Sequence, residues 1–305
     1  MTNSKGIAKQ FRPLNVFAHT VLMLGGLLLI YPIIFMFMAG MMSAEEYAKT
    51  VMGLFPIAKE PTFKNFMVLI GGASDSQVQT YYVNSILRTL YGLFWAMITS
   101  FLGGYVFARL RFKGRDTLFL VLLATQMIPG VVSVIPTFIE FARWPFAGGN
   151  YIFNGGKGIL DSWWVYLIGG PSINIMGTFL VKQSLEKVPY ELDEAAKIDG
   201  AGTFRIIFQI LMPLQLPILA FIAITTSQGI WNDWTTPFFF TTSDNLQTLP
   251  AAISRMSQLA QNPMGLPDYP LMLTLGLGVT LPMLLLFFFF QRYIVQGLAN
   301  AGIKG

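Results

Sequence analysis

The chain has 305 residues, 54% of them hydrophobic and only 11% charged, with 27 phenylalanines and 16 methionines. Soluble domains carry about 25% charged residues, so the composition excludes an ordinary soluble domain and indicates an all-α integral membrane protein, whose formal charge of +5 needs no nucleic acid to explain it. The absence of cysteine excludes disulfides and thiol chemistry, and a lone histidine, His19, leaves no metal site of the usual zinc kind.

Lys5, Lys9 and Arg12 make the N-terminal tail basic. An apolar run over about 16–38 follows. It has the roughly 20 residues that a spanning helix needs and exceeds a signal-peptide core, so it reads as a retained first span. His19 reads as a polar residue at the interface. A polar loop covers 42–81. Further spans are expected at about 84–108, 118–142, 163–181, 217–240 and 270–290, with a second outer loop at 241–268. Residues 294–305 read as too polar and glycine-rich to continue the last span. No internal repeat or linker divides the chain, so 1–305 reads as one transmembrane domain.

Six spans put both termini on one side. Thirteen of the 20 Lys and Arg residues fall on that side. Basic loops favour the cytoplasm, which places the N and C termini there.

Prolines and glycines interrupt two spans. Pro129 and Pro136 lie in the third, and Gly169, Gly170 and Pro171 in the fourth. A broken helix survives in a bilayer only where protein or a water-filled cavity satisfies the freed backbone groups. Such breaks mark translocation routes in many transporters. Pro129, Gly170 and Pro171 are therefore candidates for a path or gate, and packing kinks between close-fitted helices account for the same residues. At the outer end of span five stand Trp231, Asn232, Asp233 and Trp234. An interfacial aromatic belt accounts for the tryptophans but not for the polar pair between them. At helical spacing the tryptophans share a face, assigned to the belt or the pore with a lean to the belt. Asn232 and Asp233 point elsewhere in structural or gating roles.

Nothing reads as catalytic. There is no glycine-rich phosphate loop ending in Gly-Lys-Ser or Gly-Lys-Thr, so the chain itself is not expected to bind ATP or any cofactor. Neither of the common hydrolase signatures, His-Glu-x-x-His and Gly-x-Ser-x-Gly, is present. Ionisable residues are scarce within the spans, which argues against a proton-coupled route.

Residues 189–213 carry the longest polar stretch with helical order. Pro189 suits a first helical turn. Glu191, Asp193 and Glu194 follow at the positive end of the dipole. Asp193 and Lys197 have the spacing to pair on an exposed side, and Gly200 suits a left-handed C-cap. About eleven residues make a rod of roughly 16 Å, too short to cross a bilayer and suited to being held by another subunit.

Glu194, Ala195 and Ala196, with Gly200 six positions after the glutamate and Ile210 and Pro213 closing the stretch, resemble the EAA loop of ABC-importer membrane subunits; Met212 stands where that pattern has leucine. Asn84 and Ser85, Tyr105 through Arg109 with Phe112 and Gly114, Met127 to Pro129, Trp231 to Asp233, Leu249 with Pro250, and the ending from Gln291 extend the likeness to the carbohydrate branch. There the chain resembles the smaller six-span subunit of maltose and related oligosaccharide importers.

The resemblance implies a type I importer permease fold in a bacterial or archaeal cell membrane. It implies a second homologous permease subunit, two cytoplasmic ATPase subunits that bind the ATP, and an extracytoplasmic sugar-binding protein reached by the 241–268 loop. It gives Glu194, Ala195, Ala196, Asp199 and Gly200 a role in coupling to the ATPase, and places the C-terminal tail between the ATPase subunits. In the maltose type the partner permease holds the defined sugar site, so no sugar-binding residues are assigned here. A permease for glycerol phosphate or a polyol, a membrane enzyme and a membrane scaffold are the alternatives.

Overall fold

A computed structural model describes residues 13–49, 55–71, 77–150, 155–169, 173–259 and 268–302. Among them every regular element is helical. The helices are α1 (Pro13–Gly40), α2 (Ala44–Lys49), α3 (Lys64–Leu69), α4 (Val78–Arg109), α5 (Arg115–Thr125), α6 (Val134–Ala142), α7 (Trp164–Gly169) and α8 (Ile175–Leu185). They continue with α9 (Glu191–Ile198), α10 (Thr203–Arg205), a π-helical turn over Ile206–Leu211, α11 (Met212–Leu214), α12 (Leu216–Trp231), α13 (Thr235–Phe240), α14 (Leu249–Leu259) and α15 (Tyr269–Gly302).

Three stretches are long and apolar enough to cross a membrane: Val16–Gly40, Val78–Arg109 and Tyr269–Gln291. Two bent pairs pass the same test, Arg115–Thr125 with Gly130–Ala142 at 85° and Thr203–Leu214 with Leu216–Phe240 at 77°, making up to five if each pair is one span. The first bend falls at Pro129, which enters a short 3-10 turn over Gly130–Ser133 in an extended conformation. The region expected as a fourth span holds α7 and α8; Gly170 and Pro171 between them lie outside the described residues. The last apolar stretch ends at Gln291, while α15 continues beyond it as helix to Gly302. Helical hydrogen bonds need no apolar side chain, and no proline follows Pro282 to interrupt them.

The bundle is built around α4, 32 residues long and about 48 Å in rise. It packs on α8 and α12, while α15 packs on α1 and α12. Small residues bring α4 and α8 together: a Cβ on Gly104 would run into Val181 and lie 3.0 Å from the backbone N of Lys182, and one on Gly177 would run into Ser100. In lipid, helices gain most where small residues let backbones approach. Phe101, Val181, Leu185, Ile206, Ile207, Leu211, Leu219 and Ile222 form the main buried cluster, which joins α4, α8, α12 and the segment after α9.

Gly104→Leu is expected to wedge α4 from α8 and lower stability by about 1–3 kcal/mol, read as a fall in the thermal midpoint of the purified chain in detergent. Gly229, beside which an added Cβ meets nothing within 4 Å, supplies the control: Gly229→Ala should leave the midpoint unchanged or raise it.

Candidate functional site

The polar ends of the bundle carry the candidate residues. At one end, α9 follows Pro189 and Tyr190 with three carboxylates in its first turn, where the dipole favours them. It stops at Gly200, whose φ of 79° is left-handed. The Gly200 N–H donates to the Lys197 carbonyl at 3.0 Å and the Ala201 N–H to the Ala196 carbonyl at 2.9 Å. These are the two bonds of a Schellman cap.

Asp193 does not pair with Lys197 on the exposed side. It is buried, and its Oδ2 lies 2.8 Å from Arg109 Nε at the end of α4, with the two side chains 6% and 7% exposed. The approach lies off the Nε–H axis, so this is an ion pair rather than a hydrogen bond. Arg109 also donates through Nη2 to the Val188 carbonyl at 3.0 Å and sits 5.4 Å over the Tyr190 ring. Lys197 instead turns to that ring, at 5.8 Å. Local sequence spacing does not reveal the pairing of Arg109 with Asp193, because the two lie far apart in the chain; a carboxylate aligned with the small, core-facing Ala196 is the one clue.

The pair decides which way α9 faces. Asp193 and Ala196 look inward, and Ala196 joins the main core cluster. Glu194, Ala195, Asp199 and Gly200 are exposed, flanked by Ile198 at 86% and Phe204 at 79% exposure. A solvent-facing patch of two large apolar groups among carboxylates is shaped for another surface. Behind it, the π-helical turn buries Ile206, Ile207 and Leu211 and fastens the segment to the bundle.

At the opposite end, Trp231 is buried and its Nε1 donates to the Val279 carbonyl at 2.9 Å, tying α12 to α15. This corrects the lean toward a lipid belt. α12 ends at Trp231 and α13 begins at Thr235, so Trp231 and the exposed Trp234 do not share one helical face. Asp233 causes the break. Its Oδ1 accepts from the N–H groups of Thr235 at 3.0 Å and Thr236 at 3.1 Å, capping α13. Its Oδ2 accepts from Thr236 Oγ1 at 2.6 Å and pairs with the Arg88 guanidinium. Arg88 donates as well to the Asp233 carbonyl at 3.0 Å. Asn232, beside it, is exposed.

Arg88 and Thr236 border a cavity of about 110 Å³ with Thr137, Phe141, Tyr166 and Phe240, which brings α6, beyond the Pro129 bend, next to the Asp233 cluster. Pro129 itself is exposed at the bend.

The segment after α13 is held from two sides. Asn84 Nδ2 donates to the carbonyls of Asn245 and Gln247, both at 2.8 Å. Asp161 Oδ1 accepts from the N–H groups of Thr242 and Ser243, both at 2.8 Å, and its Oδ2 accepts from Ser243 Oγ at 2.7 Å. Burial works to raise the Asp161 carboxyl, but these bonds prevail and hold it down at about 2. No motif around Asp161 announces this clamp.

Comparison with known proteins sets this geometry in a family. A family model described as "Binding-protein-dependent transport system inner membrane component" matches residues 99–300. The galactooligosaccharides transport system permease protein GanQ of Bacillus subtilis (strain 168) is 28% identical, over 95% of each chain. The arabinooligosaccharides transport system permease protein AraQ of the same organism is 26% identical, over 97% of this chain and 98% of its own. Among solved structures, a bacterial ABC transporter involved in the import of the acidic polysaccharide alginate aligns with a TM-score of 0.74 at 18% identity, over 94% of this chain and 99% of that one, which places the chain in the type I ABC permease fold. These relatives are transport permeases, not enzymes. The family match spans more than half of the chain and includes α9, its Schellman cap and Asp233; the chain belongs to the binding-protein-dependent transport system inner membrane components.

Proposed function

We propose that this chain is one permease subunit of an ATP-driven importer of oligosaccharides. It forms half of a translocation pore with a second homologous permease. It crosses the cell membrane six times with both termini in the cytoplasm, takes its substrate from an extracytoplasmic sugar-binding protein, and is driven by two cytoplasmic ATPase subunits that bind the ATP. The observation that carries the reading is the construction of α9: a short helix clamped to the end of α4 by a buried ion pair, with Glu194, Ala195 and Ile198 turned outward. A helix fixed on one side and open on the other, with Ile198 among its carboxylates, transmits a push from whatever grips it. Glu194, Ala195, Asp199 and Gly200 form the gripped face, and Ala196 sets its depth. Pro129, Asn232 and Asp233 belong to the path and its outer gate, with Trp231 as the buried tie behind them; Gly170 and Pro171 keep their place in the proposal from sequence alone.

Coupling is tested in vesicles holding both permeases and the ATPase, with the loaded binding protein added. Gly200→Val forces a left-handed valine at a cost of about 1–2 kcal/mol and should leave membrane insertion intact while sugar uptake and ATPase stimulation fall on the order of tenfold. Normal uptake would remove the coupling role.

Asp193→Ala strands Arg109 in a buried site, at about 3–5 kcal/mol. Limited proteolysis should then cleave faster after Lys197, and the ATPase should co-purify less well. Unchanged cleavage would show that the pair does not hold α9.

Because the chain lacks cysteine, orientation is open to single labels. Thr203→Cys should react in intact cells only with membrane-permeant reagents, and Asn245→Cys with impermeant ones as well. The reverse pattern would invert the topology.

A further inference from the structure

The turn from α4 into α5, residues 110–114, lies next to Arg109 and so at the same end of the bundle as α9. Four cationic residues fall within its vicinity: Arg109, Arg111, Lys113 and Arg115. Arg109 is engaged by Asp193. Arg111 and Lys113 are exposed, and among the described residues neither sits in an ion pair with a carboxylate. Arg115 Nε lies 2.9 Å from Asp116 Oδ1, but Asp116 is 76% exposed and only partly offsets the cluster. Gly114, at φ 81°, turns the chain back tightly enough that Arg111 and Arg115 line one open cavity of about 410 Å³, with Phe112, Asp116 and Thr117.

The apolar surroundings separate this cavity from a merely solvated basic turn. Leu110 and Phe112 are exposed between the cations, and Leu118, Leu120 and Val121 are exposed along α5 as it leaves the cavity. Val78–Arg109 has the length and hydropathy of a span, so the turn sits where hydrocarbon gives way to headgroups. A soluble anion has no use for the apolar stripe that Leu110 and α5 expose beside the cations. One ligand class uses both: guanidinium and ammonium groups bind phosphate through charge-assisted hydrogen bonds, and an acyl chain lies against apolar side chains without penalty.

We infer that the 110–114 turn is a binding site for an anionic phospholipid. Arg111 and Arg115 hold its headgroup phosphate from the cavity, the exposed Lys113 on the same turn adds its charge, Leu110 and Phe112 seat in the interface, and an acyl chain follows the exposed face of α5. The site is separate from the coupling face of α9 and does not depend on which solute is carried.

Leu118→Cys, beside the cavity, takes a single fluorophore in this cysteine-free chain. The full-length chain is reconstituted in phosphatidylcholine vesicles, with bromine-labelled acyl chains supplied either on phosphatidylglycerol or on phosphatidylcholine. Brominated phosphatidylglycerol should quench at lower mole fraction. Each charge removed should cut that preference roughly fivefold, the factor matching about 1 kcal/mol per basic residue at an anionic surface. Arg111→Gln with Lys113→Gln should therefore nearly abolish it. Arg111→Lys with Arg115→Lys should keep most of it. Lys59→Gln with Lys64→Gln, which removes equal charge from the segment between α2 and α4, should leave it unchanged. Quenching by brominated phosphatidylcholine reports insertion and should be constant across the set.

Equal quenching by the two lipids overturns the inference, as does a preference that survives Arg111→Gln with Lys113→Gln. Loss of the preference on adding inorganic phosphate at constant ionic strength would make this a free-anion site instead. Neutralised variants that keep the lipid preference but no longer co-purify with the ATPase would make the turn a protein docking surface.

Discussion

The buried pair between Arg109 and Asp193 is the constraint on which the rest depends. Removing two charges from water is expensive, and the expense is recovered only by close geometry with supporting polar contacts. Arg109 has those contacts in the Val188 carbonyl and the Tyr190 ring, both from the segment that leads into α9. The whole approach to α9 is therefore built around one guanidinium. An arrangement that leaves either charge unpaired is costly, so α9 and the end of α4 are held to one relative position.

The same helix carries a second arginine with a second aspartate. Arg88 and Arg109 are 21 residues apart in one unbroken α4, about 31 Å of rise, close to the roughly 30 Å thickness of a bilayer's hydrocarbon core. Each arginine fastens a later segment: Arg109 holds Asp193 ahead of α12, and Arg88 holds Asp233 after it. α4 is a strut with a clamp at each end. Small residues at Gly103, Gly104 and Gly177 draw α8 tightly against the half of α4 that ends at Arg109.

Part of this is legible in the sequence. Composition alone supplied the membrane class, and α9 with its glycine cap followed from local chemistry: carboxylates at the start, glycine at the end, nothing β-branched before Ile198. The misreadings have a common physical source. Asp193 had a local partner at helical spacing in Lys197, and local spacing cannot register that Arg109 competes for it from another helix. Trp231 was assigned toward lipid because in a membrane an inward face and an outward face are equally apolar; only the Nε1 bond to Val279 tells them apart. The break after Trp231 was readable in principle, since Asp233 before Thr235, Thr236 and Pro237 is a helix-start signal, but the apolar run through Phe240 masked it. Asp161 had no local signal at all, because it caps a segment that folding alone brings to it.

The bend at Pro129 sets apolar side chains and the polar backbone different demands. Apolar side chains around it face outward, Met127 at 82% and Val131 at 79% exposure, which in lipid carries no penalty. The backbone is a different matter. Gln126, Met127 and Ile128 donate to carbonyls three residues back, and Val132 does so to Pro129, so the regular four-residue ladder is interrupted through the 85° turn. Carbonyl groups released there cannot be satisfied by acyl chains, and such a site persists in a membrane only against protein or water. A second permease packed across it, or a hydrated path beside it, meets the requirement, and that is the same demand that a half-pore makes on its partner.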